Sequence, residues 1–195
     1  MINRDWRFSR RYPNVERIHL LEGSVYIYQK GIEERSMYVD SVLAARNQHV
    51  RFVEVAFADE SNDVAKNVAS GKVFNLRSMG AIDELIDVER CKNLYLDASG
   101  LNVRILAPLL RRGLELAHEK GMHVFVIYAE PITYKIQRFS EAGEYYDLSE
   151  RIREIAPIPG FGRICQSAKE VIIIPFLGLF TFFSSKASRS ITTFA

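Results

Sequence analysis

Four acidic positions stand directly behind runs of apolar, strand-forming residues. Asp59 and Glu60 follow the run 50–57, Asp97 closes 93–97, and Glu130 follows 122–128. Acids at the carboxyl ends of parallel strands share one rim, where they can hold a hard divalent cation such as Mg2+ for phosphoryl chemistry. Asp59, Glu60 and Asp97 are therefore the expected metal ligands, and Asp97 and Glu130 the expected catalytic pair. Lys30 and Arg35, just past the run 24–29, are the expected partners of an anionic ligand. Ser99 and Gly100 complete the expected binding set, because Asp97-Ala-Ser-Gly100 precedes a helical pattern whose first backbone N–H groups can take a phosphate. The negative Asp97 opposes a phosphate there and suits a ribose hydroxyl instead. The competing reading of each acid is a helix N-cap or a hydrated loop residue, since helix starts favour acids for their own sake.

Other chemistry is poorly supplied. No G-x-G-x-x-G follows the first strand pattern, and no G-x-x-x-x-G-K-[ST] occurs, which weakens the dinucleotide and P-loop readings. Gly160-Phe-Gly162 is a lone G-x-G and reads as a turn. Ser99 lacks the G-x-S-x-G elbow of a hydrolase nucleophile. His19, His49, His118 and His123 are scattered, and Cys91 and Cys165 form no zinc-type spacing.

The elements that position these residues follow from periodicity. The segments 24–29 and 50–57 are rich in Val, Ile, Tyr and Phe and predict strands, with an amphipathic helix over 33–47 between them. Ser61-Asn-Asp63 offers capping oxygens for a short helix through about 69, followed by a strand at 72–76 and a helix at 80–87. Asn93-Leu-Tyr-Leu-Asp97 is a strand. Leu101, Ile105, Leu109, Leu110, Leu114 and Leu116 then form an apolar stripe opposite Arg104, Arg111, Arg112 and Glu115. Pro108 interrupts that stripe, so the helix either kinks there or begins near Ala107 with the proline in its first turn. Gly121 suits its C-terminal cap. The run 122–128 is nearly all apolar and predicts a strand covered on both faces. A last strand is expected at 170–175.

Strands alternating with helices predict a Rossmann-like, largely parallel, doubly wound sheet with helices on both faces. If the strand at 93–97 lies beside the first strand, Asp97 and Ser99 face the loop 30–35 across the topological switch point. The expected organisation is an arm over 1–16, an α/β domain over 17–176 and a tail over 177–195. The arm carries Arg4, Arg7, Arg10 and Arg11 among Trp6, Phe8 and Tyr12. Such a mixture can stack on single-stranded nucleic acid or simply dock.

Bulk properties bound the function. In 195 residues, 48% are hydrophobic, enough to bury a core, and 26 basic against 24 acidic residues leave a net charge of only +2. That balance supplies no strong field for nucleic acid or anionic lipid. The amino terminus lacks the apolar core of a secretory signal, and the unpatterned cysteines suit a reducing compartment, so a cytoplasmic setting is expected. The stretch 171–183 is apolar for too few residues to span a membrane, which takes about 20. The chain stops soon after that stretch, so either the tail packs back or an apolar surface awaits a partner. Two functions follow as expectations. One is a domain that takes a nucleotide-like or phosphorylated ligand at its sheet edge, with hydrolysis and Mg2+ as its associated chemistry. The other is a non-catalytic module that docks on a protein partner or a second copy through its apolar C-terminal segment and the region 134–146.

Overall fold

The computed structural model describes residues 10–31, 34–38, 42–58, 63–130 and 158–161. The expected strand at 170–175, the region 134–146, the apolar stretch 171–183 and the first nine residues of the arm lie outside them. Among the described residues six strands form one sheet: β1 (Ser24–Tyr28), β2 (Arg51–Phe57), β3 (Val64–Asn67), β4 (Val73–Asn75), β5 (Asn93–Asp97) and β6 (His123–Ile127). Their spatial order is β4-β3-β2-β1-β5-β6. The pairs β2–β1, β1–β5 and β5–β6 are parallel, whereas β3 runs antiparallel to both β2 and β4. The sheet is thus mixed, which corrects the expectation of a largely parallel one.

The correction comes from residues 64–67, where a helix was expected. Capping oxygens and turn formers are the same residue types, and here the turn wins. Asn67 Oδ1 accepts hydrogen bonds from Ala69 N and Ser70 N, and Gly71 adopts φ 72°, closing a hairpin into β4. Ala65 is fully buried in the main core, whose apolar neighbours reward strand pairing over a short exposed helix.

Among the described residues two helices cover one face. The α2 helix (Met79–Ile86) begins at Ser78, whose side chain accepts from Ala81 N, and the α3 helix (Val103–Lys120) begins at Asn102, which accepts from Arg104 N. Pro108 lies inside α3 rather than at its start. The Asn102 cap and the burial of Ile105 outweigh the one backbone hydrogen bond a mid-helix proline loses. Gly121 ends the helix in the left-handed region, at φ 70°. Ile82, Leu85 and Ile86 from α2 and Ile105, Leu109 and Leu116 from α3 pack with Val25, Ile27, Leu94 and Leu96 into the main core.

The other face is aromatic. Tyr26, Tyr28 and Tyr95, with Phe52 and Phe125 at their margins, meet Leu20, Leu43 and Val50. Within the described residues this face is covered by the segment 15–20 and by short turns. The helix expected over 33–47 is represented there by a 3-10 turn, Glu34–Ser36, and a helical turn at α1 (Ala44–Arg46). The long helices α2 and α3 both lie on the opposite face, so the expected pair of helical layers is not formed by the described elements. β6, expected to be covered on both faces, instead leaves His123 and Val126 exposed. Its register leaves it with β5 as its only partner among the described strands.

The connections still obey the handedness of parallel sheets. The chain leaves β1 for β2 across the aromatic face, where Leu43 packs, and leaves β5 for β6 across the helical face, where α3 packs. Departures in opposite directions on opposite faces are what right-handed crossovers require. The boundary between them, at β1 and β5, is the switch point.

Candidate functional site

At the switch point the loops after β1 and β5 interlock. A Cβ on Gly100 would lie 2.0 Å from Gln29 O and 2.8 Å from Ser36 Cβ, so only glycine permits this approach. Gly31 N donates to Ser36 Oγ at 2.8 Å, and Asn102 N donates to Gln29 Oε1 at 3.0 Å. Backbone of the first loop is thereby fixed against the entrance to α3. β5 does lie beside β1, the condition under which Asp97 and Ser99 were expected to face the loop 30–35. The contacts seen here run from Gly100 and Asn102 to Gln29 and Ser36, at either end of that loop.

Asp97 forms the floor. It is buried with no exposed surface, and Ser99 N donates to its Oδ1 at 2.8 Å in an Asx turn. Burial pushes its carboxyl above the usual range, opposed by hydrogen bonding from Ser99, by the Tyr26 hydroxyl directed at it and by the positive charge of Arg35. Tyr26 is also fully buried and shares the aromatic face with Tyr95 and Asp97, by strand alternation. Burial first, and the Asp97 charge second, hold its phenol well above the ordinary tyrosine range. The two groups sense each other electrostatically, yet neither Tyr26 Oη nor Asp97 Oδ2 has a hydrogen bond of normal geometry. A buried polar atom in that state costs stability, about 1–3 kcal/mol as a general magnitude.

Arg35 joins this floor to the last strand. Its Nη1 donates to Tyr128 Oη at 2.7 Å and to Ala129 O at 3.2 Å, and its guanidinium stands over the Tyr128 ring, 5.1 Å from the centroid. Ala129 N in turn donates to Ser99 Oγ at 2.7 Å. Arg35, Ala129, Ser99 and Asp97 therefore form one connected series across three strand ends. Lys30 lies to the side, with Nζ 2.9 Å from Glu54 Oε2, an oxygen 3.4 Å from Tyr28 Oη. An anion reaching Lys30 competes with that carboxylate.

The expected acids do not gather in the same way. Asp97 is sealed, whereas the Glu130 side chain is 65% exposed and only 3.9 Å from Arg11, itself open to solvent. Asp59 and Glu60 lie outside the described residues. Among the described residues no three His, Cys, Asp or Glu side chains converge to hold a metal ion. Ser99 and Gly100 bind the protein's own backbone, and Arg35 is engaged by Tyr128 and Ala129.

Sequence reasoning passed over Tyr26 and Tyr128. Alternation in Ser24-Val-Tyr-Ile-Tyr28 and Asn93-Leu-Tyr-Leu-Asp97 does put each tyrosine on a definite face. Only the register Tyr26↔Tyr95 shows that those faces are the same one.

A second concavity lies along the outer side of α3. Ala107, Leu110, Arg111, Leu114, His118 and Phe161 line an open groove of about 660 Å³. Arg111 holds Phe161 over it through a guanidinium–ring contact of 5.6 Å and a hydrogen bond to Gly160 O.

Compared with protein-family models, with curated proteins and with solved structures, the chain matches none of them. Among the described residues no helix is long and apolar enough to cross a membrane.

Proposed function

We propose that this α/β domain binds a nucleotide-like or phosphorylated small molecule at the carboxyl-end rim of β1, β5 and β6. The observation that carries the reading is the connected series Arg35–Ala129–Ser99–Asp97, which sets a cation, a hydroxyl and a buried carboxylate beside a topological switch point. Open α/β sheets take ligands at such points. The local order β2-β1-β5-β6, parallel throughout, is the part of the sheet that resembles a Rossmann arrangement. In this reading Lys30 and Arg35 attract the anion, Ser99 and Gly100 shape the loop beneath it, and Glu130 reaches ligand hydroxyls from the solvent side. Asp97 supports the loop. Its sealed position leaves hydrolysis, and any role for Mg2+ with Asp59 and Glu60, dependent on the ligand opening that floor.

Thermal unfolding with and without nucleotides tests this, since a ligand that binds only the folded state must raise the midpoint. A rise that disappears in Lys30→Ala supports the rim. A rise that requires Mg2+, with release of inorganic phosphate, extends the reading to hydrolysis. No rise with any phosphorylated compound defeats it.

A second reading, a non-catalytic module docking on a protein, is favoured by the α3 groove, where Leu114 and Phe161 are about half exposed. Exposed apolar area of this kind marks interaction surfaces. Self-association that rises with concentration and is lost in Leu114→Asp, or on removal of residues 177–195, would favour it over the first.

A further inference from the structure

We infer that the rim recognises a planar base through Tyr128, with Arg35 as the residue that positions the ring. The inference rests on the phosphorylated-ligand reading and narrows it to nucleoside monophosphates and their relatives.

Tyr128 is the first residue beyond β6 and is 55% exposed, an unusual degree for a ring so firmly held. One side of it faces the Arg35 guanidinium, its hydroxyl accepts from Arg35 Nη1, and the following residue is fixed by Ser99 Oγ. A surface tyrosine ordinarily gives up rotational freedom when it binds. Here that freedom is already spent on contacts within the protein, so a ring stacking on the exposed side meets a preorganised surface. Stacking tolerates any base because every base has a π face.

The neighbouring charges fit a base that carries phosphate. Arg35 contributes its charge within the same stack and is felt by Asp97. Lys30 stands on the β1 side of the rim beside Glu54. The buried Tyr26 and Asp97 are too deep to receive a base, and the α3 groove, lined by Glu115 and Glu119 as well as Arg111, does not favour an anion.

Calorimetric titration of the full chain with AMP, ribose 5-phosphate and adenosine tests the inference. AMP should bind about tenfold more tightly than ribose 5-phosphate, the increment expected of one stacked base. That ratio should fall to about one in Tyr128→Ala and persist in Tyr128→Phe, which keeps the ring. It should shrink in Arg35→Lys even where the melting temperature is unchanged, a result that a purely structural arginine would not give. Equal binding of AMP and ribose 5-phosphate, or a Tyr128→Ala variant with the wild-type ratio, overturns base recognition while leaving the phosphate rim intact. Adenosine binding as well as AMP supports the ring contact and overturns the phosphate requirement. No binding of any of the three overturns both.

Discussion

Two buried charges, Arg112 on the helical face and Asp97 on the aromatic face, are treated in opposite ways by the same sheet. Arg112 is only 8% exposed, yet its guanidinium is nearly saturated. Nε and Nη2 meet the two Asp83 oxygens at 2.6 and 3.0 Å, and Nη1 reaches Glu115 and Glu119. These partners raise its already high pKa further. The pairing clamps α2 to α3 over the main core. Asp97 is deeper still, with no exposed surface, but keeps one oxygen without a normal hydrogen bond, beside a tyrosine hydroxyl in the same condition. Saturated buried charge fixes architecture, whereas incompletely satisfied buried charge stores a cost that ordinary folding has no reason to keep. The contrast separates a structural clamp from a candidate site within one small domain.

The largest effect should come from breaking the clamp. Arg112→Ala leaves Asp83, Glu115 and Glu119 facing one another without their cation, and should cost about 3 kcal/mol in chemical denaturation. The half-open carboxylates can rehydrate, which keeps the loss at the low end for a buried ion pair. Ligand binding at the rim should be untouched in whatever fraction remains folded. A loss below about 1 kcal/mol would erase the distinction between the two charges.

Next is Gly100→Ala. Its methyl would collide with the Gln29 carbonyl oxygen and the Ser36 side chain. Backbone must move, at about 2 kcal/mol, and ligand-induced stabilisation should be lost together with it. An unchanged melting temperature would mean that the two loops do not interlock.

The smallest and most diagnostic change is Asp97→Asn. Because burial lifts the folded carboxyl above the usual carboxylate range, folding favours its neutral form. Its contribution to stability is fully present below the unfolded pKa and is lost as pH rises through the raised folded value. Asn keeps an acceptor for Ser99 N without the charge. The difference in unfolding free energy, variant minus wild type, should therefore move in favour of the variant as pH climbs from about 4 toward neutrality. A flat difference curve would show that Asp97 is not strained by burial. Tyr26→Phe removes the cost of a buried hydroxyl without a normal hydrogen bond but also takes that dipole away from Asp97, so the two effects should offset to near neutrality. A loss above about 1 kcal/mol would show that Tyr26 does bond to Asp97.

Legibility in the sequence varied with the range of the interactions involved. In residues 93–121 the strand, the helix and its Gly121 end were readable, while the helix start, left open at Pro108, lies earlier, at Val103. Strand β5 carries Leu-Tyr-Leu between Asn93 and Asp97, and α3 carries a long stripe with Asn102 and Gly121 at its ends, all of it local information. The strand expected at 72–76 is β4, but the short helix expected through about 69 is instead β3 and a turn, because Ser, Asn and Asp serve a cap or a turn equally. The candidate site was legible as a rim, through Lys30, Arg35, Asp97, Ser99 and Gly100, but not as a set of contacts. Nothing in the string 24–28 reveals that Tyr26 lies against Asp97, some seventy positions away.

Periodicity, capping residues and the breaks at glycine determined by themselves that this chain is α/β, that α3 covers a sheet, and that acids follow its strands. Tertiary structure alone decided which strands are neighbours, that β3 and β4 turn the sheet mixed, that Asp97 is sealed while Glu130 stands in solvent, and that Arg35 holds Tyr128. The reason is physical. Hydrogen-bonding period and cap chemistry act over a few residues, whereas register, burial and ionisation depend on groups brought together from across the chain.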